Sequence, residues 1–245
     1  MFRAYQAILQ PTRGQTGALG RIDVPARPLA ATGRQVGIDV GVTELVATSD
    51  GELVGNPQHL RHSLHTLAQR QRLVAGRRRG SLRRRRAARR VGELHRKIAR
   101  QRHDLAHQVS RCLVDGYDLI VHEDLQIPNL VRRPPPRPND QGGHEPNGAA
   151  AKAGLNREIL AAGWGLLLRM LAYKAEEAGR ELVAVNPRHT SQACSQCGHV
   201  DEANRQASAF RCRSCEHADH ADINAARNIL RAGLALRLER EANTA

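Results

Sequence analysis

VGIDVGVTELVATSDGELV, residues 36–54, alternates with a period of two and is punctuated by turn residues. Residues 36–49 read as a strand, a turn and a second strand, and Asp50-Gly51 turns the chain into a third strand over residues 52–54. The stretch is therefore expected to open the fold as three antiparallel strands. Val36, Ile38, Val40 and Val42 fall on one face of the first strand, and Asp39 shares the other with Gly37 and Gly41. Flanking glycines are expected to leave space above Asp39 for a divalent ion and a phosphate. The plain alternative, an edge acid in a salt bridge, gives no reason for two glycines.

From Leu60 the period changes to that of a helix. Leu60, Leu64 and Leu67 recur at helical spacing, as do Leu94, Ile98, Leu105, Val109 and Leu113. Gly76, Gly80 and Ser81 interrupt the pattern, so two antiparallel helices with a basic hinge are expected. The formal net charge of +14 is concentrated here: residues 61–103 hold sixteen Arg or Lys against the single acid Glu93. The rest of the chain, with 22 basic and 23 acidic residues, is close to neutral. Arg77, Arg78, Arg79, Arg83, Arg84, Arg85, Arg86, Arg89 and Arg90 are the expected nucleic-acid contacts, because such a cluster binds polyanions by neutralising phosphates and releasing counterions. The alternative is a solvated basic tract. With two Phe, one Trp and three Tyr, aromatic side chains are too few for a series of base-stacking platforms, so backbone and shape are what the chain should recognise.

Residues 118–125, DLIVHEDL, have the apolar run of a buried strand ending on acids. Alternation places Leu119, Val121 and Glu123 on one face and Ile120, His122 and Asp124 on the other. Residues 132–150, rich in Pro and Gly, are expected to form a mobile loop or lid. A single helix over residues 155–179 stopped by Gly179, a strand over 181–187 and a final helix from about Asp222 complete the pattern. This order is that of a ribonuclease-H-like α/β fold, a mixed sheet with inserted long basic helices. Its first strand lies centrally, so Asp39, Glu123 and Asp222 can converge. Taken singly each acid has a bland role, Asp222 for instance as a helix N-cap. Together three carboxylates repel unless cations are present, and two Mg²⁺ ions would resolve the repulsion and support hydrolysis of a phosphodiester. No Ser-His-Asp logic, P-loop or dinucleotide fingerprint competes with them.

Between the last strand and Asp222 stand CSQC, residues 194–197, and CRSC, residues 212–215, fourteen residues apart. Two CxxC turns let four thiolates reach one tetrahedral ion, so Cys194, Cys197, Cys212 and Cys215 are expected to hold a structural Zn²⁺ in a zinc ribbon. Four thiolates close the shell and leave no position for a reacting water. His189, His199, His217 and His220 are expected at the surface or around the ligands. Cys112 is expected to fill the core. Four of the five cysteines stand at metal spacing, which fits a reducing compartment, and neither a signal peptide nor a spanning segment is visible, so a soluble, cytoplasmic protein without membrane contact is expected.

With these residues in hand the chain resembles the TnpB (OrfB) family of insertion sequences, RNA-guided nucleases related to type V CRISPR effectors. GIDVGV resembles the family's first RuvC motif, VHEDL the second and HADINAARNIL the third. TSQACSQCGHV with FRCRSC resembles its target-nucleic-acid-binding zinc ribbon, and GAAAKAGLNREILAAGWG another family segment. The resemblance implies a RuvC-like, Mg²⁺-dependent DNA endonuclease with DNA and guide RNA as partners, Asp39, Glu123 and Asp222 as catalytic metal-binding acids and the four cysteines on zinc. It also implies a nuclease domain over residues 36–188 and 218–242, with a basic helical insertion at 57–115, and a ribbon at 189–217. Many members read Asp-Arg-Asp where this chain has His220-Ala221-Asp222, and glycine where it has Glu216. Members ordinarily carry a long region before the first motif; here 38 residues precede Asp39, so residues 1–35 are expected to be a remnant of it. Two other readings stand beside the nuclease: a non-catalytic nucleic-acid-binding accessory or repressor, and an inactive truncated copy.

Overall fold

The computed structural model describes residues 5–8, 21–24 and 26–243. Of the expected N-terminal region, residues 1–4, 9–20 and 25 lie outside them. Strands β1 (Tyr5–Ile8) and β2 (Arg21–Val24) pair antiparallel. The central sheet has five strands: β3 (Gln35–Asp39), β4 (Glu44–Thr48), β5 (Leu53–Gly55), β6 (Leu119–Glu123) and β9 (Glu181–Val185). Their spatial order is β5-β4-β3-β6-β9, antiparallel through β3 and parallel from β3 to β9. β3 is thus the middle strand, and the ends of β3 and β6 that carry Asp39 and Glu123 lie side by side.

Helices α1 (His59–Ala75) and α2 (Leu82–Gly116) leave the sheet as a hairpin. Ser81 starts α2 by accepting a hydrogen bond from the Arg84 amide at 3.2 Å, satisfying one of the donors a helix start leaves free. The hairpin is zipped by Leu67 against Leu94 and Ile98, with Leu60 and Val91 beside them. Farther along, α2 turns Ala106, Val109, Leu113 and Val114 onto the sheet, where they meet Val36, Ile38 and Ile120.

Past β6 come α3 (Ile127–Leu130) and a Pro- and Gly-rich segment. Within that loop lies a small hairpin of β7 (Arg137–Pro138) and β8 (His144–Glu145), its turn held by Asn139 Oδ1 accepting from the amides of Gln141 and Gly143. The single helix expected over 155–179 is two, α4 (Ala149–Ala162) and α5 (Trp164–Ala178), broken where Gly163 takes a left-handed φ of 76°. Such a residue ends one helix without the penalty a Cβ incurs, and the chain can restart in a new direction. The restart aims Trp164 Nε1 at Gly41 O, 2.9 Å away, while Leu167, Met170 and Leu171 fill the core beneath β3. Burying each such side chain contributes about 1.5–3 kcal/mol.

Helix α6 (Ala221–Ala242) covers the opposite face, where Ile229 joins Leu119, Val121, Val183 and Val185. Its approach corrects the expectation for Gly37. A Cβ there would lie 2.2 Å from Ala226 O, so the missing side chain admits the α6 backbone; the space belongs to a helix and not to an ion. Gly41 is likewise closed in, a Cβ meeting Glu44 O at 2.6 Å. Gly233 repeats the contact from the helix side, against Val121. Cys112 is exposed on α2 and is no core filler.

Candidate functional site

Three elements far apart in sequence deliver the acids. Asp39 ends β3, Glu123 ends β6, and Asp222 stands in the first turn of α6, behind His220 as N-cap. Val121 packs under α6 while Ile120 packs on the α2–α5 side, so the pleat turns Glu123 toward α6 and leaves Asp124 exposed at the rim. Asp39 is half-buried by surface area, yet its carboxyl is densely surrounded. Burial first, and then the charges of Glu123 and Asp222, push its pKa up to about 7. Burial also raises Glu123, opposed by a hydrogen bond from Thr190 Oγ1 to Glu123 Oε1 at 2.5 Å. Arg205 answers this negative field, with Nη2 2.7 Å from Asp222 Oδ1 and its charge favouring ionised Asp39 and Glu123.

The four cysteines are gathered more tightly than the acids. Among the described residues they form the one group whose metal-capable atoms all lie within 4.8 Å of one another. Cys194 Sγ is 3.7 Å from Cys215 Sγ and Cys197 Sγ is 3.6 Å from Cys212 Sγ. A tetrahedral ion with metal–sulfur bonds of about 2.3 Å needs sulfur–sulfur edges of about 3.8 Å, so the quartet fits one ion. The amides of Cys215 and Ser214 point at Cys212 Sγ, pulling that thiol down towards the thiolate a metal requires. The supporting frame is β10 (Arg205–Gln206), β11 (Ala209–Arg211) and β12 (Ala218–His220), entered by a 3-10 turn, Glu202–Asn204. Asn204, 1 % exposed, donates to the carbonyls of Gln192 and His199 and accepts from the Arg213 amide, tying the two cysteine turns together.

Known proteins match both halves. A family profile described as "Probable transposase" (OrfB) matches residues 19–133, and one described as "Cas12f1-like, TNB domain" matches residues 164–229. "Putative RNA-guided DNA endonuclease InsQ" of Escherichia coli is 36 % identical over 216 residues, 88 % of this chain and 52 % of its own length. A "Putative RNA-guided DNA endonuclease" of Streptomyces pristinaespiralis is 38 % identical over 210 residues, 85 % of this chain and 47 % of its own.

The chain belongs to the TnpB (OrfB) transposase family.

It spans about half the length of these two curated relatives. Among solved structures, a chain in a Cas12f1-sgRNA-target DNA complex superposes with a TM-score of 0.54 at 20 % identity, covering 86 % of this chain and 51 % of that one. That likeness shows a shared mixed α/β fold. One departure from the TnpB pattern acquires a physical meaning: Glu216, where members commonly have glycine, holds φ at 59°, a left-handed conformation that a Cβ disfavours. His220, standing where many members have Asp, has a capping role, its Nδ1 accepting from the Asp222 amide at 3.3 Å.

The nine arginines lie together at the hairpin tip. Arg77, Arg78 and Arg79 occupy the turn, and Arg83, Arg84, Arg85, Arg86, Arg89 and Arg90 the first turns of α2; all but Arg84 are exposed. Arg77, Arg83, Arg86 and Arg90 line a cleft of about 230 Å³ together with Arg70 from α1. Arg70, Thr190 and Arg205 escaped the sequence reading. Arg70 donates to Arg90 O at 2.8 Å across the hairpin, a pairing that no local spacing announces. No helix among the described residues is long and apolar enough to cross a membrane.

Proposed function

We propose that this chain carries the RuvC-like nuclease core and zinc ribbon of a transposon-encoded, RNA-guided endonuclease that hydrolyses DNA phosphodiesters. The observation that supports this best is the shared field of Asp39, Glu123 and Asp222, in which burial first and then the charges of Glu123 and Asp222 push the Asp39 pKa up to about 7. A structure retains such repulsion at a cost, and a divalent cation would remove it. The topology adds support, since β3 is central and β6 parallel to it, as a ribonuclease-H-like arrangement requires.

In this reading Asp39, Glu123 and Asp222 would hold two Mg²⁺ ions, which would supply an activated water and charge stabilisation for in-line displacement. Asp39 and Glu123 present their carboxylates from the rigid ends of neighbouring strands, and α6 brings Asp222 to them. Arg205 pairs with Asp222 and would offer its guanidinium to a strand phosphate. Cys194, Cys197, Cys212 and Cys215 hold Zn²⁺ and so fix the ribbon that carries Arg205. The nuclease core comprises residues 36–188 and 218–242, the ribbon 189–217 and the basic insertion 57–115. The arginine cleft at the insertion's tip takes a guide RNA or target DNA backbone.

The test is cleavage of a matched DNA target by the purified protein with RNA transcribed from its own locus. Mg²⁺-dependent cleavage lost in Asp39→Ala supports the reading; DNA left uncut at every Mg²⁺ concentration refutes autonomous cleavage. A binding function without cleavage is favoured by the arginine cleft alone, and it requires salt-sensitive nucleic-acid binding that survives loss of all three acids.

A further inference from the structure

The root of the ribbon, residues 190–195, runs beside α6 and is fastened to it by buried amides one turn apart. Asn228 Nδ2 donates to the carbonyls of Thr190 at 2.9 Å and Ala193 at 2.7 Å. Asn224 donates to Ala193 O at 2.8 Å and accepts from the Ser195 amide at 2.9 Å. Arg231 closes the set, donating to Asn228 Oδ1 at 2.5 Å and to Ser195 O at 3.2 Å. Asn224 is 0 % and Asn228 5 % exposed, positions where an apolar side chain would otherwise serve. Burying an amide is unfavourable unless its hydrogen bonds are met, and here one loop segment and Arg231 meet them.

That segment presents Thr190, itself 7 % exposed, to Glu123. Two acceptors face its hydroxyl, Glu123 Oε1 at 2.5 Å and Pro187 O at 3.0 Å. A hydroxyl has one proton, and the nearer, chargeable carboxylate takes it. We propose that Thr190 is the positioning residue for Glu123 and that Asn228 sets Thr190, so that α6 fixes the second carboxylate as well as carrying the third. This rests on the metal reading given above. A glutamate has three side-chain torsions, and a buried donor on one oxygen restricts them before an ion arrives. Outer partners of metal ligands of this kind typically contribute 10–100-fold to metal affinity.

The experiment is Mn²⁺ binding to the full chain by calorimetry, comparing wild type, Asp39→Asn, Thr190→Val and Thr190→Ser, with zinc content and melting temperature recorded for each. Thr190→Val is expected to weaken Mn²⁺ binding about 10-fold or more, and Thr190→Ser, which keeps the hydroxyl, to stay within about 3-fold. In a Glu123→Gln background Thr190→Val should add no further loss. Wild-type affinity in Thr190→Val, no rescue by Thr190→Ser, or an undiminished loss in the Glu123→Gln background would each overturn the role of Thr190. Should Thr190→Val not accumulate as folded protein, Thr190→Ala removes the same hydroxyl. If Asp39→Asn binds Mn²⁺ as wild type does, the metal reading itself fails and this proposal with it. If Asp39→Asn weakens binding and Thr190→Val does not, only the positioning role fails.

Discussion

Arg205 Nη2 lies 2.7 Å from Asp222 Oδ1, an ion pair between the cysteine-bearing frame and the helix that closes the fold. The arginine side chain is 33 % exposed and the aspartate 14 %, so the pair is partly shielded from water. Arg205→Gln removes a cation from a field of three carboxylates. The metal-free protein should lose about 1 kcal/mol, a charged hydrogen bond discounted for exposure. Mn²⁺ should then bind several-fold more tightly, because no guanidinium has to leave Asp222. Urea denaturation and calorimetry check both; weaker Mn²⁺ binding in the variant would show that Arg205 organises the acids instead of competing for them.

Asp39 gives the metal-free protein a pH dependence of definite sign. Its pKa is raised from 3.8 to about 7, so the native state holds this proton more tightly than the unfolded chain does. Metal-free stability is therefore highest at the acid end of that window and falls as pH rises from about 4 to about 7, levelling beyond. The full shift corresponds to at most about 4 kcal/mol, less whatever water at the half-buried rim screens. Asp39→Asn should flatten this limb and exceed wild-type stability at pH 8 without metal. Denaturant midpoints at pH 5 and pH 8 decide it, and a wild type equally stable at both would sink the prediction.

Gly37→Ala should be among the most destabilising single changes. Its Cβ would lie 2.2 Å from Ala226 O and 2.6 Å from the Leu230 amide, backbone atoms that can move only with the whole of α6. Overpacking of this kind costs about 1–3 kcal/mol, and a displaced α6 takes Asp222 with it. Melting temperature and Mn²⁺ affinity should fall together; a fall in the first alone would mean that Asp222 does not depend on that contact.

Glu216→Gly should stabilise the ribbon. The left-handed φ of 59° costs a residue with a Cβ about 1–2 kcal/mol, offset in part by the greater freedom glycine has when unfolded. A net gain of about 0.5–1 kcal/mol is expected, read as slower zinc release to a chelator. Unchanged or faster release would count against the strain.

The strand-borne acids were legible because alternation is a local property. Asp39 and Glu123 fall on the α6 face by counting residues from Val36 and Leu119, and the same count separates Glu123 from Asp124. The gathering of Cys194, Cys197, Cys212 and Cys215 was legible because each CxxC turn sets its two thiols side by side. Arg205 and Thr190 were not, since each finds its carboxylate by tertiary approach from a segment without periodicity. Gly37 was misread for a related reason: a missing side chain signals close approach but does not say of what, and a helix backbone fills the place assigned to an ion. The break at Gly163 was missed because the apolar positions of α4 and α5 continue one helical pattern through it.

The central claim is that Asp39, Glu123 and Asp222 form a divalent-metal centre, and Mn²⁺ calorimetry on the zinc-loaded protein tests it most directly. Two ions should bind to wild type, with binding reduced at least tenfold in each of Asp39→Asn, Glu123→Gln and Asp222→Asn while zinc content stays unchanged. Mn²⁺ binding equal to wild type in all three variants would contradict it.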